Sequence, residues 1–113
     1  SVINGSLKSS KGWVDVLESC WPGGSISGAP KIRACERLHT LEPTARGPYC
    51  GSLLHLDWDG TFDSNILIRS LMIKDSQIRA HAGCGIVADS DSQKETEELK
   101  WKLIPLLGAL DKK

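Results

Sequence analysis

The sequence predicts an α+β domain, with helices packed on an antiparallel sheet. Three observations carry that expectation. Apolar residues recur at helical spacing in residues 11–20, in residues 29–41 and again beyond residue 92. Alternating or continuous apolar runs occupy residues 52–58, 66–73 and 78–82. The runs are joined by the tight-turn signals Asp59-Gly60 and Lys74-Asp75-Ser76, so consecutive antiparallel strands are the economical reading.

Residues 2–8 alternate weakly and read as a short strand. Residues 11–20 place Trp13, Val16, Leu17 and Cys20 on one helical face, and Pro22 stops that helix. In residues 29–41, Ile32, Cys35, Leu38 and Leu41 recur at threes between Lys31, Arg33, Glu36 and Arg37, a helix that ends before Pro43. A turn-rich connector, residues 42–51, leads to residues 52–58, where Leu54, Leu56 and Trp58 form the apolar face of a strand. Residues 66–73 read as an almost continuous apolar strand interrupted only by Arg69 and Ser70, and residues 78–82 follow, giving three consecutive antiparallel strands. Gly83-Cys84-Gly85 ends the last of these, residues 86–88 continue as a short fourth, and Asp89-Ser-Asp-Ser92 offers N-caps for a final helix. Leu99, Leu103, Leu106, Leu107 and Leu110 are its expected buried stripe, and Pro105 is expected to kink or shorten it.

At 113 residues the chain is one domain's worth and long enough to bury a core. Fourteen acidic and fourteen basic residues balance, so no bulk charge argues for nucleic acid or an acidic membrane surface. Cys20, Cys35, Cys50 and Cys84 lie far apart with no C-x-x-C pair, which argues against a zinc knuckle or redox motif and suits free thiols in a reducing cytoplasm. There is no apolar run near 18 residues and no charged-then-apolar leader, so a soluble cytoplasmic protein is expected. The chain opens without Met, already in strand-like alternation, and reads as a piece of a longer one.

Trp21-Pro-Gly-Gly-Ser-Ile-Ser-Gly-Ala-Pro-Lys31 is the most distinctive stretch. Glycines let backbone amides approach a ligand, and the following helix N-terminus favours an anion, with Ser25 and Ser27 adding hydroxyls. The Walker phosphate loop fails on spacing, because Ala29 and Pro30 separate Gly28 from Lys31 and Ile32 follows it. A Gly-rich connector without ligand remains the plain alternative.

Other residues do not fit a bland domain. Arg69 inside an apolar strand must reach a solvated face, pair with Asp57 or Asp63, or clamp an anionic carboxylate with its planar fork. Glu95 and Glu98, three apart on a helix, either converge on a cation such as Mg²⁺ or simply complement the helix dipole, and Lys102 one turn on can pair with Glu98. Tyr49, the only Tyr, sits in a Gly/Pro loop as a packing anchor or a ligand contact. His39, His55 and His81 share no metal-ligand spacing.

Four motifs taken together go further. Pro22-Gly-Gly-Ser-Ile-Ser-Gly-Ala-Pro-Lys-Ile-Arg-Ala34, Arg46-Gly-Pro-Tyr-Cys-Gly51, Asp63-Ser-Asn-Ile-Leu-Ile-Arg-Ser70 and Ala82-Gly-Cys-Gly-Ile-Val-Ala-Asp-Ser90, followed by Glu95-Thr-Glu-Glu98, resemble in order and spacing the C-terminal third of chorismate-utilising enzymes. The match covers essentially residues 1–113, read as the C-terminal part of a single chorismate-binding domain of the anthranilate-synthase type. The loop reads Gly-Gly-Ser-Ile-Ser-Gly and is most similar to the aminodeoxychorismate (para-aminobenzoate, folate-pathway) synthase component I branch. The anthranilate synthase component I branch more often has Ala-Gly-Thr-Leu-Ser-Gly, and serves tryptophan synthesis. Isochorismate or salicylate synthases, which use water, and a non-catalytic chorismate-binding module are further alternatives.

The resemblance implies a Mg²⁺-dependent enzyme that aminates chorismate with ammonia from a glutamine amidotransferase partner. It places Tyr49 and Arg69 at a chorismate carboxylate, with backbone amides of Gly83, Cys84 and Gly85 beside them, Lys102 near the substrate, and Ser25 and Gly28 in the pocket-lining loop. It makes Glu98 a metal ligand and Glu95 its neighbour. Cys84 departs from the family's usual small residue, and Leu99 and Trp101 stand where Thr and Asn are common, which bears on hydrogen bonds near the metal. The family's first metal-binding Glu, its acid/base groups and, in the aminodeoxychorismate branch, a nucleophilic Lys in Pro-Ile-Lys-Gly-Thr lie upstream of the position matching Ser1. The 113 residues alone are therefore expected to be inactive and to bind chorismate weakly.

Overall fold

A computed structural model describes residues 2–111. The class is α+β: α1 (Trp13–Cys20), α2 (Gly24–Ser27), α3 (Lys31–Leu41), β1 (Ser52–Leu56), β2 (Phe62–Ile66), β3 (Leu71–Lys74), β4 (Gln77–Ala80) and α4 (Ser92–Gly108). The expected helices form where apolar spacing and stop signals put them. Asp15 accepts from Gly12 N at 2.9 Å and pairs with Lys11 at 2.7 Å, closing the start of α1. Asp91 caps α4, its carboxylate accepting from the amides of Gln93 and Lys94. Pro105 does not shorten α4, which runs on to Gly108.

The distinctive loop is not irregular throughout, since it contains the single helical turn α2. Gly28 ends that turn at φ 99°, a conformation only glycine adopts easily, and an added Cβ there would meet Ala34 Cβ at 3.2 Å. Lys31 does not reach toward any phosphate cradle. Its ammonium donates to the carbonyls of Glu18 (3.0 Å), Ser19 (3.4 Å) and Trp21 (2.8 Å), satisfying the open C-terminal end of α1 and closing the loop on itself.

The strands correct three expectations. Residues 2–8 form no strand; their alternation has no neighbouring ladder to pair with. The apolar run 66–73 is not one strand. Its first residue ends β2, residues 68–70 break away, and β3 begins at Leu71. The result is two separate antiparallel hairpins, β1–β2 and β3–β4, instead of one three-stranded meander, and residues 86–88 add no strand among the described residues. In the first hairpin Ser52 pairs with Ile66 and Leu56 with Phe62, and the Cys50–Leu67 and Leu67–Gly51 amide-carbonyl bonds, 2.9 Å each, carry the ladder one step further. The second is closed by Asp75 and Ser76 at φ 50° and 60°, the two left-handed residues a tight hairpin turn demands.

The expected core is missing. Among the described residues none is buried, and the Leu stripe of α4 is only half covered, with Leu107 and Leu110 51% and 43% exposed. The accessible surface is 9772 Å², against about 6,100 Å² for a folded monomer of 12.3 kDa. The radius of gyration is 17.0 Å, against about 13 Å for a compact domain of this length. Apolar faces on both hairpins and on α3 and α4 thus stand uncovered, Ile32, Leu41, Ile73 and Trp101 each more than 70% exposed. No helix among the described residues is long and apolar enough to cross a membrane, and the four cysteines are free thiols.

Candidate functional site

Arg69 sits in the break between β2 and β3. Its backbone is left-handed, φ 51°, a conformation that costs a non-glycine residue about 1–2 kcal/mol and tends to persist where a site requires it. Among the described residues it pairs with neither Asp57 nor Asp63. It lines a small cleft with Tyr49, Ile68, His81, Ala82, Gly83 and Lys102. Four residues singled out in the sequence, Tyr49, Arg69, Gly83 and Lys102, are therefore brought together from the connector, the strand break, the segment after β4 and the middle of α4. The cleft holds about 130 Å³, below the roughly 300 Å³ at which small-molecule sites begin.

Tyr49 is held from several sides. A turn closed by Tyr49 N to Arg46 O at 3.2 Å sets its backbone, and its ring lies 5.3 Å from that of His81. Its hydroxyl comes so close to Gly83 that a Cβ there would lie 2.6 Å from it. Burial, reinforced by hydrogen bonding to Cys50, pushes the phenol up to about 12, so it remains protonated and able to donate.

Lys102 donates to Gly83 O at 2.8 Å and forms an ion pair with Glu98 one turn before it. This ties the glycine turn to α4. Two further contacts do the same: the Cys84 thiol reaches Glu95 O at 3.8 Å, and Ser90 Oγ, which accepts from Val87 N at 3.0 Å, donates to Glu95 Oε1 at 2.8 Å. The neighbouring Cys84 thiol and the Ser90 hydrogen bond hold the Glu95 carboxyl below the usual carboxylate range, and the same neighbourhood raises the Cys84 thiol, which is thereby less reactive. Gly85 is exposed and unconstrained.

The acidic pair suits a hard cation in part. Glu95 Oε2 is buried without a hydrogen-bond partner among the described residues, an acceptor left over, and Glu98 shares its charge with Lys102. Oxygen donors of this kind fit Mg²⁺, which takes one or two carboxylates and keeps several waters. Among the described residues no group of three or more His, Cys, Asp or Glu side chains converges, so a metal held here would take its remaining protein ligands from elsewhere.

Ser25 and Gly28 are not in this cleft. The loop that carries them borders a second, wider hollow of about 520 Å³, which it lines through Trp21, Ile26 and Ser27, facing Leu38, Glu42, Arg46 and the other side of the Tyr49 connector. Glu42 and Arg46, the latter the first residue of the Arg46–Gly51 motif, form a pair that the sequence analysis does not single out. Arg46 donates from Nε to Glu42 Oε2 at 2.8 Å and from Nη2 to Glu42 Oε1, a bidentate pair that lowers the Glu42 carboxyl and raises the guanidinium. Opposite charges four apart were the available signal.

A glycine turn, an Arg, a Tyr and a Lys thus line one cleft that abuts an acidic helix. Residues 1–108 match the family of chorismate binding enzymes, and the chain belongs to that family. Anthranilate synthase component 1 of Synechocystis sp. is 44% identical to it over 115 residues, covering 97% of this chain and 23% of that protein. Those of Bacillus caldotenax and Thermus thermophilus are 41% and 42% identical over 111 residues, each covering 98% of this chain and 22% and 24% of theirs. The chain thus spans about a quarter of the length of these relatives.

Proposed function

We propose that these residues form the C-terminal part of a longer enzyme of the anthranilate synthase component I type, which aminates chorismate. The observation that carries it is the convergence of Tyr49, Arg69, Gly83 and Lys102 on one cleft beside Glu95 and Glu98. Chorismate is a dicarboxylate whose C4 hydroxyl must leave as the amine is added. On this reading Arg69, the Tyr49 hydroxyl and the amides of the 83–85 turn take one carboxylate, and Lys102 adds a positive charge beside it. Glu98 and Glu95 would hold Mg²⁺, which supplies charge neutralisation at the other carboxylate. The fixed ring lowers the barrier to loss of the C4 oxygen by orientation.

The uncovered surface supports a longer chain. The excess of about 3,700 Å² over a compact monomer far exceeds the roughly 800 Å² per partner of an ordinary interface and has the scale of a domain interior. The undersized cleft supports the same, its missing wall belonging to that remainder, and the 113 residues alone are then inactive. The relatives' name favours anthranilate over the aminodeoxychorismate product expected from the loop, and "component 1" favours a second component. On this reading that component is a glutamine amidotransferase supplying ammonia, and both work in the cytoplasm. The second reading, aminodeoxychorismate, rests on Gly24-Ser25-Ile26 in that loop. Incubating the full-length chain with chorismate, Mg²⁺ and an ammonium salt tests both. Anthranilate supports the first reading, aminodeoxychorismate the second, and unconsumed chorismate contradicts each.

A further inference from the structure

We infer that Arg46 is a positioning residue that sets the Tyr49 ring in the carboxylate cleft, an inference resting on the chorismate reading for its substrate but not for its geometry. Glu42 is the C-cap residue of α3, so it is anchored to a helix. Its two oxygens receive the Arg46 guanidinium in fork-to-fork fashion, which fixes the plane of the fork. The guanidinium carbon stands 6.0 Å from the centroid of the Tyr49 ring, within cation–π range. The turn through Gly47, at φ 60°, and Pro48 brings that ring back over the guanidinium and delivers its hydroxyl to Gly83. A continuous series, Glu42 to Arg46 to Tyr49 to Gly83, therefore runs from the end of α3 to the amide turn.

A decorative surface pair would look different. The Arg33–Glu36 pair on α3 is single-pronged and leaves its side chains 64% and 56% exposed, whereas Arg46 and Glu42 are 27% and 36% exposed and bidentate. Arg46 also lies outside the Arg69 cleft and lines the wider hollow with one face of the connector, so it acts on the cleft through Tyr49 and not by touching what binds there.

The test uses the full-length chain carrying these residues. In E42Q/R46M, which leaves no unpaired charge behind, KM for chorismate rises about tenfold while kcat stays within twofold, and adding Y49A raises KM no further than Y49A alone. O-acetylation of Tyr49 by N-acetylimidazole, followed by peptide mass spectrometry, accelerates several-fold in E42Q/R46M without any substrate present. If the double variant fails to fold, R46K carries the same cycle, keeping the cation beside Glu42 and losing the planar fork. KM effects of Arg46 and Tyr49 that multiply, or an unchanged acetylation rate, overturn the inference. Accelerated acetylation in a protein whose wild type neither binds nor consumes chorismate would instead uphold the positioning of Tyr49 and overturn the substrate reading.

Discussion

Replacing Gly83 with Ala should cost chorismate binding far more than it costs stability. The added Cβ would lie 2.6 Å from Tyr49 Oη, so the hydroxyl must retreat by about 0.8–1 Å to regain ordinary van der Waals distance. A hydrogen bond of ordinary length stretched by that amount is lost. The loss of one bond to a charged carboxylate is about 1.5–3 kcal/mol, roughly 10- to 100-fold in affinity. Gly83 is not in the left-handed region, so Ala brings no backbone strain there, and its lower unfolded-state entropy offsets part of the crowding. Isothermal titration with chorismate and steady-state kinetics on the full-length chain measure the effect, with thermal unfolding as the control. With Phe at position 49 the clashing oxygen is gone, so G83A/Y49F should bind no worse than Y49F. A G83A chain that binds within twofold of wild type, or a double variant in which the losses multiply, would refute the reasoning.

Other outcomes follow from the same geometry. Glu98→Gln should raise the Mg²⁺ concentration for half-maximal activity by at least about tenfold, read by titrating the metal at saturating chorismate. Lys102→Met removes the donor to Gly83 O and the partner of Glu98; urea unfolding should show a loss of about 1–2 kcal/mol, and KM for chorismate should rise. The Glu42 carboxyl is held below its ordinary value chiefly by the Arg46 hydrogen bond, so its contribution to stability is present above the ordinary carboxyl range and lost as pH falls through the lowered value. Below about pH 4.5, stability should accordingly fall less steeply in E42Q than in wild type. The 113 residues expressed alone should bind a hydrophobic dye and unfold without a sharp transition, as expected where no residue among those described is buried.

Much of the local structure was legible because its signals are local. Pro22 and Pro43 bracket α1 and α3, and Asp91 supplies the cap that the Asp89–Ser92 cluster promised. The misread strands lacked such marks. Residues 66–73 are apolar almost throughout, so no periodicity reveals that the chain leaves the ladder after residue 67, and an Arg in the left-handed region carries no sequence signature. Conversely β2, Phe-Asp-Ser-Asn-Ile, hides a strand under polar residues that its register with β1 tolerates because both faces are exposed. The core was overestimated because apolar stripes announce burial without saying against what. At the site, Arg69 was visible by its incongruity and Tyr49, Gly83 and Lys102 through resemblance. Ser25 and Gly28 share those motifs but line no part of the cleft, and the Glu42–Arg46 pair is hard to read because its i,i+4 spacing spans a non-helical Pro-Thr-Ala segment.

The most direct test of the central claim is the product formed by the full-length chain from chorismate, Mg²⁺ and an ammonium salt, resolved by liquid chromatography and mass spectrometry. Anthranilate, with one pyruvate released for each chorismate consumed, and its loss in an Arg69→Ala chain that still folds, is the predicted result. Chorismate left intact by the wild-type chain, or turned over undiminished without Arg69, would contradict it.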